Sequence, residues 1–226
     1  MAISPIRYAK DRLQEKQRIQ DQKFPVVTIS REVGCPAKVI TRELVAHINR
    51  ETSNRWSCVS KEILFESAKD LGIPPSDLKY FFKYHEQGVL DGMLNTLTKF
   101  YVSDRKIFKS IEKAIVSFAQ HGNVVIVGRG GAAILEDHQN ALHIRLMAPL
   151  SWRHNKVMEY YGMSKNEALK FIQDYDQKRT RFMAHFARRS NSDHALFDVI
   201  YNCATLSKSE VMRAIYNLMK EKQMVP

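Results

Sequence analysis

Five short apolar runs, at residues 26–29, 56–59, 124–127, 141–147 and 196–201, are separated by stretches whose apolar residues recur at three- or four-residue spacing. This alternation constrains the chain more than any other feature. Val26-Val27-Thr28-Ile29 and Val124-Val125-Ile126-Val127 are continuous apolar and β-branched, as strands buried on both faces are. Between such runs, Ile40, Leu44 and Ile48, and then Ile107, Ile111, Ile115 and Phe118, mark helices. A third helix opens at Ser164, where Glu167 completes a capping box, and carries Leu169, Ile172, Tyr175, Phe182 and Phe186 into a basic stretch. Strands separated by helices need crossover connections, so the expected fold is α/β, a five-stranded parallel sheet with helices on it.

The stretch 61–121 holds no strand and is longer than one crossover helix requires, which implies a helical lobe. Residues 1–23 read as a polar helical arm ahead of a single domain at 24–226, with a lid region at about 164–195. A chain of 226 residues that is 44% hydrophobic can bury a real core. Cys35, Cys58 and Cys203 lie far apart with no C-x-x-C spacing, which argues against a disulfide framework or a cysteine-built zinc site and for a reducing, cytoplasmic setting. No apolar run approaches the roughly 18 residues of a membrane span, so no membrane partner is expected. The histidines show neither H-x-x-x-H nor H-E-x-x-H, and no serine stands in G-x-S-x-G, so zinc and triad chemistry have no support. A net charge of +11 calls for an anionic partner; nucleic acid ranks last, because no nucleic-acid motif accompanies the charge.

In an open parallel sheet, ligands bind beyond the carboxyl ends of the strands. After the first strand, Ser30, Arg31, Gly34, Cys35, Pro36, Ala37 and Lys38 lead into a helix bearing Thr41. That is the position of a phosphate loop, although G-x-x-x-x-G-K-[ST] fails at both glycines and the hydroxyl, and Pro36 has no N–H to offer. After the third strand, Gly128-Arg129-Gly130 sets an arginine between glycines that let an anion approach it closely. Arg153 opens the helix after the fourth strand and could face either the site or solvent. Arg179 shares a helix face with Tyr175, Phe182 and Phe186, and needs either a ligand or Asp176 as its partner.

These residues resemble the cytidylate kinase-like family, a branch of the P-loop nucleoside monophosphate kinases. The resemblance rests on Ile29-Ser30-Arg31-Glu32-x-Gly34, Val125-Ile126-Val127-Gly128-Arg129-Gly130, Ala148-Pro149-Leu150-x-x-Arg153, Asp176-x-x-Arg179-x-Arg181-Phe182 and Asp198-x-x-x-Asn202. It implies a three-layer P-loop kinase fold, a helical lobe for the nucleoside monophosphate substrate and a helical lid. It also implies transfer of the γ-phosphate of ATP to CMP or dCMP with Mg2+. By the same resemblance Ser30 to Thr41 hold the donor phosphates, Arg31, Gly128, Arg129 and Gly130 meet the substrate, and Arg129, Arg153, Arg179 and Arg181 clamp the transferring group.

The chain departs from that pattern in three places. Gly34-Cys35-Pro36-Ala37 stands where members usually show Gly-Ser-Gly-Gly, Ser60 stands where an Asp precedes Lys-Glu, and Gly130 stands where an Asp follows Gly-Arg in CMP kinases. The first departure keeps open a second reading, a nucleotide-binding module with impaired catalysis.

Overall fold

The computed structural model describes residues 24–59, 104–186 and 194–226. The N-terminal arm, residues 60–103, which include 61–103 of the expected lobe, and residues 187–193 of the lid run lie outside the described residues. In chain order the elements are β1 (Val26–Arg31), α1 (Ala37–Glu51), β2 (Ser57–Val59), α2 (Asp104–His121), β3 (Val124–Val127), α3 (Gly131–Ile134), β4 (Ala141–Met147), α4 (Leu150–Tyr161), α5 (Lys165–Ala184), β5 (Val199–Asn202) and α6 (Lys208–Glu221). The five strands form one parallel sheet in the order β2-β3-β1-β4-β5, with Val26 level with Val124 on one side and Ala141 on the other.

The period-two alternation of the strands divides the core into two layers. On one face Val27, Ile29, Val125, Leu142, Ile144 and Leu146 pack against Ile40, Leu44 and Ile48 of α1 and Val211, Ile215 and Met219 of α6. On the other, Val26, Val124 and Ile126 pack against Ile107, Ile111 and Ile115 of α2 and Phe182 of α5. The result is three layers with every strand's carboxyl end at one edge. Ser164 caps α5 as the sequence indicates, accepting from the Glu167 N–H while the Glu167 carboxylate accepts from Ser164. Ser207 and Glu210 do the same for α6. No helix among the described residues is long and apolar enough to cross a membrane.

Two boundaries differ from the sequence reading. The run at 196–201 is not all strand: a 3-10 turn, His194–Leu196, precedes a strand that starts at Val199. Leu196 and Phe197 are apolar because they bury themselves beside the sheet against Ala132 and Ala133. Asp198 makes the joint, its N–H donating to the His143 carbonyl (2.8 Å) and its carboxylate accepting the His143 N–H (2.7 Å). The helix from Ser164 also stops at Ala184, before Arg188 and Arg189.

Candidate functional site

The β1–α1 turn is closed on itself. The Glu32 N–H donates to the Leu146 carbonyl (3.0 Å), continuing the sheet, and the Val33 N–H donates to Asp176 Oδ1 of α5 (2.9 Å). The Cys35 N–H returns to the Glu32 carbonyl (3.3 Å) and the Ala37 N–H to the Cys35 carbonyl (2.9 Å), a three-residue turn centred on Pro36. Gly34 has φ +92°, and a Cβ there would stand 3.2 Å from both Cβ and the carbonyl oxygen of Arg153, so glycine is required on conformation and space alike. Four amides of this turn are therefore engaged by the protein itself, and Pro36 has none. A backbone cradle for phosphate needs such groups to point at the ligand.

Arg153 explains why the turn is so tightly held. It is 8% exposed, and its Nε donates to the Ala148 carbonyl (3.0 Å) and lies 3.2 Å from Glu32 Oε2. Its Nη1 reaches Asp176 Oδ2 at 2.6 Å. One guanidinium thus ties the β1 turn, the end of β4 and α5 together, with its charge compensated by two carboxylates.

The β3–α3 turn is built differently. Gly128, Arg129 and Gly130 have φ of +68°, +59° and +75°, three successive residues in the left-handed region. For Arg129 this conformation costs roughly 1–2 kcal/mol, the kind of local strain that clusters at functional sites. The Arg31 guanidinium lies so close over Gly128 that any Cβ there would collide with it. Beyond this turn α5 crosses the strand ends. Phe182 and Phe186 pack on Phe108 of α2 (ring centroids 5.6 and 5.4 Å), and the Phe186 ring closes over Gly130.

Between the two turns lies a cleft of about 1150 Å³. Arg31, Lys38, Arg42, Arg129, Arg145, Lys178 and Arg179 line it, against the acids Glu32 and Asp176. Arg145 lies 3.8 Å from Glu32 and over the Phe197 ring, and Arg179 Nη1 donates to the Arg31 carbonyl (3.3 Å). Thr41 also borders the cleft, and its buried hydroxyl has no hydrogen-bond partner. Among the described residues no cluster of three His, Cys, Asp or Glu side chains could hold a metal ion. Such a low count of acids in a strongly cationic, concave wall suits a ligand carrying several negative charges.

A family model described as the cytidylate kinase-like family matches residues 26–205. The chain belongs to that family. No curated protein sequence matches the chain. Among solved structures, an uncharacterized protein from Eubacterium ventriosum is 20% identical with TM-score 0.62, over 88% of this chain and 99% of that one. Kti12 from Chaetomium thermophilum, solved with ADP-AlF3, is 10% identical with TM-score 0.42, over 85% and 98%. Dephospho-CoA kinase from Campylobacter jejuni is 13% identical with TM-score 0.38, over 87% and 96%. The likeness to the Eubacterium ventriosum protein extends to the fold, a five-stranded parallel sheet between helices.

Of the residues picked out by family pattern, Ser30, Arg31, Lys38, Thr41, Gly128, Arg129, Gly130 and Arg179 line the cleft. Gly34, Cys35, Pro36, Ala37 and Arg153 lie in or behind the β1 turn and do not, and neither does Arg181, which is exposed on α5. Asp198 and Asn202 are used by the backbone, Asn202 accepting from the Ala204 N–H (3.0 Å). Sequence reasoning passed over Arg42 and Arg145. Arg42 follows Lys38 by four residues, one helical turn, and Arg145 alternates with Ile144 and Leu146 out of the α1 face of β4, so both were readable from periodicity. His143, beside Arg145 on that alternation, is buried, with Nδ1 2.7 Å from the Thr28 hydroxyl; burial lowers its pKa below the usual histidine value, partly offset by Asp198.

Proposed function

We propose that the protein is a nucleotide phosphotransferase that moves the γ-phosphate of ATP to a nucleoside monophosphate, with CMP or dCMP as the first candidates. The observation that carries this reading is the convergence of Arg31, Arg129 and Arg179, from three separate elements, with Lys38 on one cleft. Phosphoryl transfer asks little covalent chemistry of a protein and much positioning and charge neutralisation, which such a wall supplies. Arg129, presented by a strained turn, and Arg179, held against the Arg31 carbonyl, would flank the phosphoryl group in flight. Lys38 would meet the donor phosphates. Thr41 fits a magnesium ion that arrives on nucleotide phosphates, because its orphaned hydroxyl can complete a coordination shell made mostly of phosphate and water oxygens. Bound there, magnesium would neutralise charge between the donor phosphates.

The test is ATP consumption with a panel of CMP, dCMP, UMP and the purine monophosphates, in magnesium. The expected result is stoichiometric ADP and nucleoside diphosphate with at least one acceptor. Turnover no greater than that of an Arg129→Ala, Arg179→Ala double variant would overturn the reading.

One observation favours a second reading, a module that binds nucleotide without turning it over: the amides of the β1 turn are engaged by Asp176 and by the turn's own carbonyls. It predicts a calorimetric ATP isotherm and no diphosphate product with any acceptor in the panel.

A further inference from the structure

Helix α5 crosses the strand ends from the β1 turn to the β3 turn, with aromatic side chains near each. Phe182, and Phe186 just past the helix, serve the β3 end. Tyr175 lies seven residues before Phe182, about 10 Å back along the helix. There it packs in the cluster of Val33, Val157 and Ile172, and Val33 is the β1-turn residue whose N–H donates to the neighbouring Asp176. Tyr175 ends a run of rings: Phe171, one turn earlier, is 4.2 Å from it between centroids, and Tyr161, the last residue of α4, is 5.2 Å from Phe171. Tyr161 and Tyr175 both line the cleft, and Tyr161 is 54% exposed. Lys178, also on the cleft, holds its Nζ 5.1 Å from the Tyr175 ring centroid. Tyr175 and Lys178 border in addition a groove of about 370 Å³ that Phe171 and Lys170 line with them.

We propose that Tyr161 and Tyr175 form a stacking platform for the base of the donor nucleotide, with Lys178 beside it. The inference rests on the proposed function and adds to it where the donor's base lies and how it is recognised. Two kinds of surface meet here. The cations of the cleft call for phosphate, and a contiguous run of partly exposed rings calls for a flat apolar or aromatic partner. A nucleotide carries both on one molecule, and every base offers a π face to an aromatic ring whatever its edge groups. The position of the rings along α5 selects the nucleotide. They adjoin the β1 turn and so the entry to α1, where Lys38 would meet the donor phosphates, whereas the acceptor's turn at Gly128 to Gly130 lies beyond the far end of α5 with Phe186 over it. Recognition by stacking area then ranks the donors: ATP and GTP, with two fused rings, bind more tightly than CTP and UTP.

The experiment is calorimetry of the full chain, in magnesium, with ATP, with CTP and with inorganic tripolyphosphate, which has the phosphates and no base. ATP is expected to bind about tenfold more tightly than tripolyphosphate, with CTP between them. Tyr175→Ala should remove most of that advantage and leave tripolyphosphate affinity unchanged, and Tyr175→Phe should retain it. If the Tyr175→Ala variant does not fold, Tyr161→Ala, at an exposed position, should lower ATP affinity several-fold with tripolyphosphate again unaffected. Equal binding of ATP and tripolyphosphate by the wild-type chain, or an equal loss for both in the variants, would overturn the platform and leave the proposed function standing. So would a fall in CMP affinity with ATP affinity unchanged, which would assign the rings to the acceptor. Binding of neither ATP nor tripolyphosphate would strike the proposed function itself, and the platform with it.

Discussion

The turns after β1 and β3 open on the same cleft but are built on opposite principles. The β1 turn turns its amides inward, onto Asp176, Leu146 and its own carbonyls, and is locked by a buried arginine between two carboxylates. The β3 turn carries backbone strain at Arg129 and contributes that residue to the cleft wall. Where a phosphate loop presents backbone N–H groups at a helix N-terminus, the cleft wall here presents side chains, among them Lys38 and Arg42 of α1 with Arg129 and Arg179. The difference separates stability from anion affinity: one turn should govern the first, the other the second.

The largest effect is expected at Arg153. Arg153→Ala removes the close partner of Glu32 and Asp176, leaving only the longer contacts to Arg145 and Arg179 (3.8 and 3.9 Å) around a buried gap, and should cost about 3 kcal/mol in urea unfolding. A loss near zero would mean the knot is incidental. Arg129→Ala should leave the fold intact and lower ATP affinity by the value of a charge-assisted hydrogen bond, about 1.5–3 kcal/mol, read by calorimetry. If instead Arg153→Ala abolishes affinity with the fold preserved, the two turns have been assigned the wrong way round.

A smaller effect isolates the strain. Arg129→Gly and Arg129→Ala remove the same side chain, but only glycine adopts the left-handed conformation freely, so the glycine variant should be the more stable by about 1 kcal/mol. Equal unfolding midpoints would show that the turn relaxes. On the acid side, His143 titrates below its unfolded value because it is buried, so the unfolded chain binds the extra proton first. Stability should therefore fall as pH drops below about 6.5, and a His143→Gln variant should show a shallower fall in urea midpoint between neutral and mildly acid pH. The smallest change is expected from Pro36→Gly with Ala37→Gly. The turn is held by Arg153 and Asp176 as well as by Pro36, so ATP affinity should move less than in Arg129→Ala.

Much of the framework was readable. The β-branched runs and three-to-four spacing located the strands and the helices packed on them, because each pattern reports a face that must be buried whatever its partner. The Ser164 capping box was readable for a related reason: cap and partner are three residues apart. The fifth strand was misread at its start because Leu196 and Phe197 are buried beside the sheet rather than within it, and apolarity alone does not say which surface covers a side chain. Arg153 illustrates a sharper limit. A helix-face arginine read in isolation offers solvent or ligand as alternatives, whereas its partners are a residue of the β1 turn and one of α5.

The amino-acid sequence by itself determined the alternating α/β plan, the excess of positive charge and the placing of arginines at strand ends. These are local properties, fixed by period and residue type. Tertiary structure alone decided which cations face one cleft and that Asp176 reaches the β1 turn. Each of those depends on β1 lying between β3 and β4 with β5 beyond, and strand order leaves no mark in any short stretch of sequence.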